Sequence, residues 1–231
     1  MKKILSAALI ICIFALLITG CGGANFTAMT EDIYQFDVVK GKAVITDVDT
    51  SAAGDIIIPS TLCGYPISAL ADNAFADCTA VTSIYIPQGV TSIGEGAFAG
   101  CTALTGVRVP EGMRTIGAKA FSKCKRLYYV AIPNSVTSIG ESCFEKCTTL
   151  IKVVLPTKLK EVEANTFSGC TALKKVYISK KLKTIGDGAF EDCSALIEVY
   201  YSASEGKKDK ISIGSSNEKL ISAAWHFNAE F

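Results

Sequence analysis

The chain has 231 residues, with 23 Lys+Arg against 22 Asp+Glu, one His and ten Cys. This balance excludes a global basic field for nucleic acid and an acidic excess typical of disorder, and a single His argues against His-based catalysis or a multi-His metal centre. With 49% apolar and 19% charged residues, there is ample material for a core.

Residues 1–20 have the layout of an export signal: Lys2 and Lys3, an apolar run from Ile4 to Ile18, then small residues. That run is too short for a comfortable membrane-spanning helix of about 20 residues. Leu17-Ile18-Thr19-Gly20-Cys21 resembles a bacterial lipobox, in which the Cys becomes the mature N-terminus and its thiol accepts a diacylglyceryl group. The expectation is a signal peptide over 1–20, lipidation at Cys21, a short tether to residue 30 and a single folded domain over 31–231. Such a protein is exported and lipid-anchored to the outer face of a bacterial membrane rather than spanning it.

Residues 31–54 predict an N-terminal β cap. Val38, Val39, Val44, Ile45 and Ile56 to Ile58 surround Lys40-Gly41-Lys42 and Ala53-Gly54-Asp55, a pattern of two or three antiparallel strands with Gly-containing turns. Residues inserted around Leu62-Cys63-Gly64-Tyr65-Pro66 predict a turn or short hairpin.

A 23-residue period then governs the chain to about residue 200. Phe occurs at 75, 98, 121, 144, 167 and 190, and Cys at 78, 101, 124, 147, 170 and 193. Pro falls at 87, 110, 133 and 156, Leu at 104, 127, 150, 173 and 196, and Ile at 93, 116, 139 and 185. In each unit a short strand such as Leu104 to Val109 alternates its apolar residues, and Pro110 ends it because Pro has no N–H for a ladder. Gly117 is expected to provide a turn before Ala120-Phe121 re-enter the core. One unit cannot bury its apolar face alone, whereas stacked units share a continuous core with a step of about 4.8 Å.

Past Tyr201 the period ends. Ser202 to Lys210 has the composition of a mobile polar loop. Asn217, Leu220, Ala223, His226, Phe227 and Asn228 follow, with a short helix expected over Glu218 to Ala224 leading into a final strand within a C-terminal cap over 201–231.

The pattern C-x-x-L-x-x-V-x-I-P followed by V-x-x-I-G-x-x-A-F-x-x-C resembles the BspA-like (Treponema pallidum type) bacterial leucine-rich repeat. It lacks the usual Asn after the strand, and the Cys column opens the repeat instead. The resemblance covers Asp55 to Phe231. It implies a leucine-rich repeat solenoid, mainly β, with a concave parallel sheet and capped ends. It also implies a surface or secreted location and roles in adhesion or binding.

Eight Cys lie in the folded part. Six share one column with parallel side-chain vectors, which suits a buried ladder of free thiols better than bridges, since a disulfide needs Cβ atoms about 3.8 Å apart and aimed at each other. Eight free thiols are expected; disulfides, or a Cys143–Cys147 pair, are the alternative. No metal, cofactor or catalytic constellation is indicated: the chain shows no nucleophile–base pair, phosphate loop or zinc-ligand spacing.

With the core set by the period, function is expected at the outward strand positions. These present Tyr85, Arg108, Tyr128, Tyr129, Lys152, Lys174, Lys175, Tyr177 and Tyr200, residue types that dominate recognition surfaces. Charge is also segregated, with net −6 over 24–78, +10 over 101–183 and −4 over 184–231. The basic middle suits anionic glycans, an acidic protein or the membrane surface; nucleic acid is not expected as a partner. The reading is a lipid-anchored module binding a protein or glycan through its concave face. Its alternative is a self-associating envelope scaffold without a specific ligand.

Overall fold

The computed structural model describes residues 33–231. The signal segment, Cys21 and the tether lie outside the described residues.

The chain winds as a β-solenoid. Eight strands form its concave face: Ala53–Ile57, Ala80–Tyr85, Gly106–Arg108, Tyr129–Ala131, Lys152–Val154, Lys175–Ile178, Glu198–Tyr201 and Ala224–Phe227. Hydrogen-bonded neighbours in this series are parallel, as chain winding in one direction requires. A second series on the opposite face consists mostly of two-residue strands such as Ser92–Ile93 and Thr115–Ile116. One cluster of buried residues runs between the two faces from Tyr34 to Leu220.

At the start, Tyr34–Val39 and Lys42–Val48 pair antiparallel as expected. Ala53–Ile57 does not join them: it pairs parallel with Ala80–Tyr85 and opens the concave sheet. Thr61–Leu62 and Tyr65–Leu70 make the expected hairpin. Tyr34 closes the aromatic core by meeting Phe75 edge-on, with ring centres 6.5 Å apart.

The repeat columns are physical ladders. Consecutive Phe rings from Phe98 to Phe190 are stacked with centres 5.2 to 5.4 Å apart. The cysteines do more than fill space. Cys101 Sγ donates to the Phe75 carbonyl at 3.1 Å, and Cys124, Cys147, Cys170 and Cys193 repeat the bond one coil on each time. The Phe75 carbonyl already accepts the Cys78 N–H at 3.2 Å, so the thiol occupies its second lone pair. Seven of the eight cysteines are free and buried, Cys143 and Cys147 among them. Cys63, outside the column, is disulfide-bonded, so the expected eight free thiols become seven.

Gly117 does not make the turn. The left-handed residue there is Lys119, with φ 54°. Gly117 instead allows close approach: a Cβ on it would sit 2.6 Å from the Glu95 nitrogen of the preceding coil. Gly94, Gly140, Gly186 and Gly214 are equally tight against the coil before them. Each donates its N–H to that coil, as Gly117 does to Ile93 and Gly140 to Ile116.

The same position in one coil holds Glu163, and there the ladder opens. Residue 163 makes no such bond, and the bonds expected from the Ile151 and Lys160 N–H groups to Tyr128 and Thr137 are missing too. Strands Tyr129–Ala131 and Lys152–Val154 are adjacent but not paired. A Cβ where its neighbours have none holds the two coils apart at both strand faces. The third side stays closed, because Ser142 and Phe144 still donate to Ala164 and Thr166 at 3.0 and 2.8 Å.

The C-terminal cap works through Asn217, which is 1% exposed. Its Oδ1 accepts the Phe190 N–H at 2.9 Å, a donor that a further coil would otherwise take up, and its Nδ2 donates to the Gly186, Gly214 and Ser215 carbonyls. The helix spans Glu218–Ser222, shorter than expected, and the final strand begins at Ala224. Ser202 to Lys210 is not a plain loop. Glu205–Lys210 forms a 3-10 helix, and Lys208 Nζ lies 4.6 Å from the Trp225 ring centre. The cation–π contact docks this segment onto the cap.

Candidate recognition surface

The outward residues of the concave strands form three groups. At the N-terminal end, the Arg108 guanidinium lies 5.2 Å above the Tyr85 ring. In the middle, Tyr128 and Tyr129 are 59% and 52% exposed. Among the described residues neither meets another ring or a cation. Gly106 stands beside Tyr129 in the register. A Cβ there would meet nothing within 4 Å, so this glycine leaves open space on the sheet.

The third group lies beyond the open seam. Tyr177 and Tyr200 stack with centres 4.5 Å apart, and His226 continues the stack at 4.6 Å from Tyr200. Phe231 meets Tyr177 edge-on at 5.3 Å. Lys152 Nζ lies 4.4 Å above the Tyr177 ring and Lys175 Nζ 5.7 Å from that of Tyr200. Lys175 also pairs with Glu198 at 2.7 Å, and His226 Nε2 lies 3.7 Å from the other oxygen of that carboxylate. The hydrogen bond from Lys175 holds the Glu198 carboxyl below its ordinary range, and Glu198 raises Lys175 in return. These rings engage each other and the cations by their faces, so they offer solvent mainly their rims and hydroxyls. Such a surface suits polar and edge-on contacts.

Of the nine residues named from sequence, Lys152, Lys175, Tyr177 and Tyr200 form one cluster and Tyr85 and Arg108 another. Tyr128 and Tyr129 sit between them, and Lys174 is exposed with no ion pair among the described residues. Sequence reasoning missed His226, Glu198 and Phe231 as members. The step from Tyr200 to His226 is longer than the period that relates Tyr177 to Tyr200, so column counting does not reach it. The signal available was that the capping strand continues the same sheet.

Coils that each stack a short parallel strand, a Phe ladder and a Cys ladder, closed by caps, define a leucine-rich-repeat solenoid. The BspA type leucine rich repeat region matches six copies over residues 68–197. The chain belongs to that family. Among solved structures it is similar to the T. pallidum leucine-rich repeat protein TpLRR, with 30% identity, a TM-score of 0.73 and coverage of 80% of this chain and 85% of that one. It is also similar to a leucine rich cell surface protein from Faecalibacterium prausnitzii A2-165, at 28% identity and TM-score 0.61, covering 77% of this chain and 55% of that one. A leucine-rich repeat protein from Bacteroides ovatus shares the fold at 21% identity and TM-score 0.50. No curated protein matches the chain.

Proposed function

We propose that this protein is a non-enzymatic recognition module displayed on the outer face of a bacterial membrane. It binds a protein or glycan with its concave face and serves adhesion. The observation that carries the binding reading is the exposure of Tyr128 and Tyr129 at mid-sheet. Large amphipathic rings fixed on a hydrogen-bonded strand make contact at little cost in conformational entropy, as recognition surfaces require. The F. prausnitzii relative, described as a cell surface protein, supports the surface location.

The test is retention of the folded region on an array of extracellular-matrix proteins and glycans. A variant carrying Tyr128→Ala, Tyr129→Ala, Lys152→Ala and Lys175→Ala is expected to keep the wild-type circular dichroism spectrum and to lose at least tenfold in retention. Equal retention by variant and wild type sinks the reading.

A further inference from the structure

A cleft of about 400 Å³, lined by none of the tyrosines of the recognition surface, is walled by Lys160, Lys180, Lys181, Lys183, Lys207 and Lys210. Among the described residues none of the six forms an ion pair. Glu161, Glu205 and Asp209 lie in the same segments, but no carboxylate lines the cleft.

The walls are built rather than incidental. Lys183 donates its N–H to the Lys160 carbonyl at 2.8 Å, so these two lysines stand one ladder step apart on neighbouring coils. The Lys180 and Lys181 N–H groups are held by the Ser202 and Ser179 hydroxyls at 2.9 and 3.2 Å. Lys207 and Lys210 are carried by the 3-10 helix that Lys208 docks onto Trp225. Leu182 and Tyr201 form the floor, and both are buried. Six lysines without ion-pair partners around one concavity make its surroundings positive and raise the local concentration of anions.

The chemistry of the walls selects the ligand. A single phosphate would leave most of the charge unmatched, and the cleft has no Arg fork to hold one bidentately. A membrane presents a plane, which does not enter a concavity. Single-stranded nucleic acid would need exposed rings to stack on, and the one ring present is buried. A flexible chain bearing anionic groups at intervals matches point charges repeated at the coil spacing, and the lysine stems give its sugar rings an apolar wall. We infer that this cleft binds a segment of polyanionic glycan, at a site separate from the concave tyrosine surface.

The probe is heparin, a sulfated glycan, titrated against the full chain at several salt concentrations. Wild type is expected to bind with an affinity that falls steeply with salt. Lys180→Gln, Lys181→Gln, Lys183→Gln and Lys207→Gln together are expected to weaken binding at least tenfold. A matched set removing four charges elsewhere, Arg114→Gln, Lys123→Gln, Lys125→Gln and Arg126→Gln, is expected to weaken it less than threefold. The four-residue concave variant, with Tyr128 and Tyr129 replaced, is expected to bind heparin within threefold of wild type, which separates this site from that reading. Equal losses in the two glutamine sets would overturn the proposal, since they would mean diffuse attraction to the basic coils. Tighter binding to phosphatidylglycerol vesicles or single-stranded DNA than to heparin would overturn it as well.

Discussion

Each column cysteine from Cys101 onward shares its proton with a carbonyl that already accepts a backbone N–H, and it does so deep in the core. Burial pushes the thiols up from an ordinary value near 9, to about 11 for Cys78 and about 12 for Cys101 and Cys193. Cys124, Cys147 and Cys170 are raised in the same direction, with neighbouring column thiols adding to the burial. A group whose folded value is raised favours the folded state most while it stays protonated. The contribution is therefore complete below the unfolded value of about 9 and is lost as pH climbs toward about 12. Urea denaturation is expected to show a flat stability between about pH 7 and 8.5 and a progressive loss above it, with no thiol labelling of the native column at pH 8. Unchanged stability through about pH 11 would contradict this. The column itself was legible as a period in the sequence. Its hydrogen bond was not, because the acceptor is a main-chain oxygen on the preceding coil, and side-chain identity carries no mark of it.

Coil spacing is set by a glycine column, and the exception at Glu163 shows how. A side chain at this position must fit where Gly117 and Gly140 leave room for less than a Cβ. Gly117→Ala is expected to destabilise by about 1–3 kcal/mol through overpacking and to speed amide exchange at residue 117, whose N–H now bonds Ile93. Glu163→Gly is expected to do the reverse locally: the amides of residues 160 and 163 gain protection as the seam closes. Unchanged exchange at those two amides would refute the steric cause. Glu163 also sits near Glu161 and Glu141, and burial together with these charges raises its carboxyl. Its ionisation therefore works against the folded state as pH rises through the carboxylate range. The Ile-Gly pairing was visible in the sequence. A turn is the usual reason for such a glycine, and only the packed coils show that contact between chain segments is the reason here.

At the level of the whole molecule, period and composition made the solenoid, its family and its caps legible, because every coil repeats one solution to the same burial problem. The outward columns were legible for the same reason, as the positions the core leaves free. The breaks in the pattern were not. His226 enters the aromatic stack through a cap whose spacing departs from the repeat, and the lysine cleft joins two turns to a helix outside it. The near-neutral total conceals this polarity: the +10 of residues 101–183 flanks a sheet face whose tyrosines face solvent. Hydrogen exchange with and without the protein or glycan captured on the array locates binding on the solenoid directly. Recognition by the concave face requires protection at Tyr129–Ala131, Lys152–Val154 and Lys175–Ile178. Protection confined to the opposite strands, such as Thr115–Ile116 and Ser138–Ile139, would contradict it.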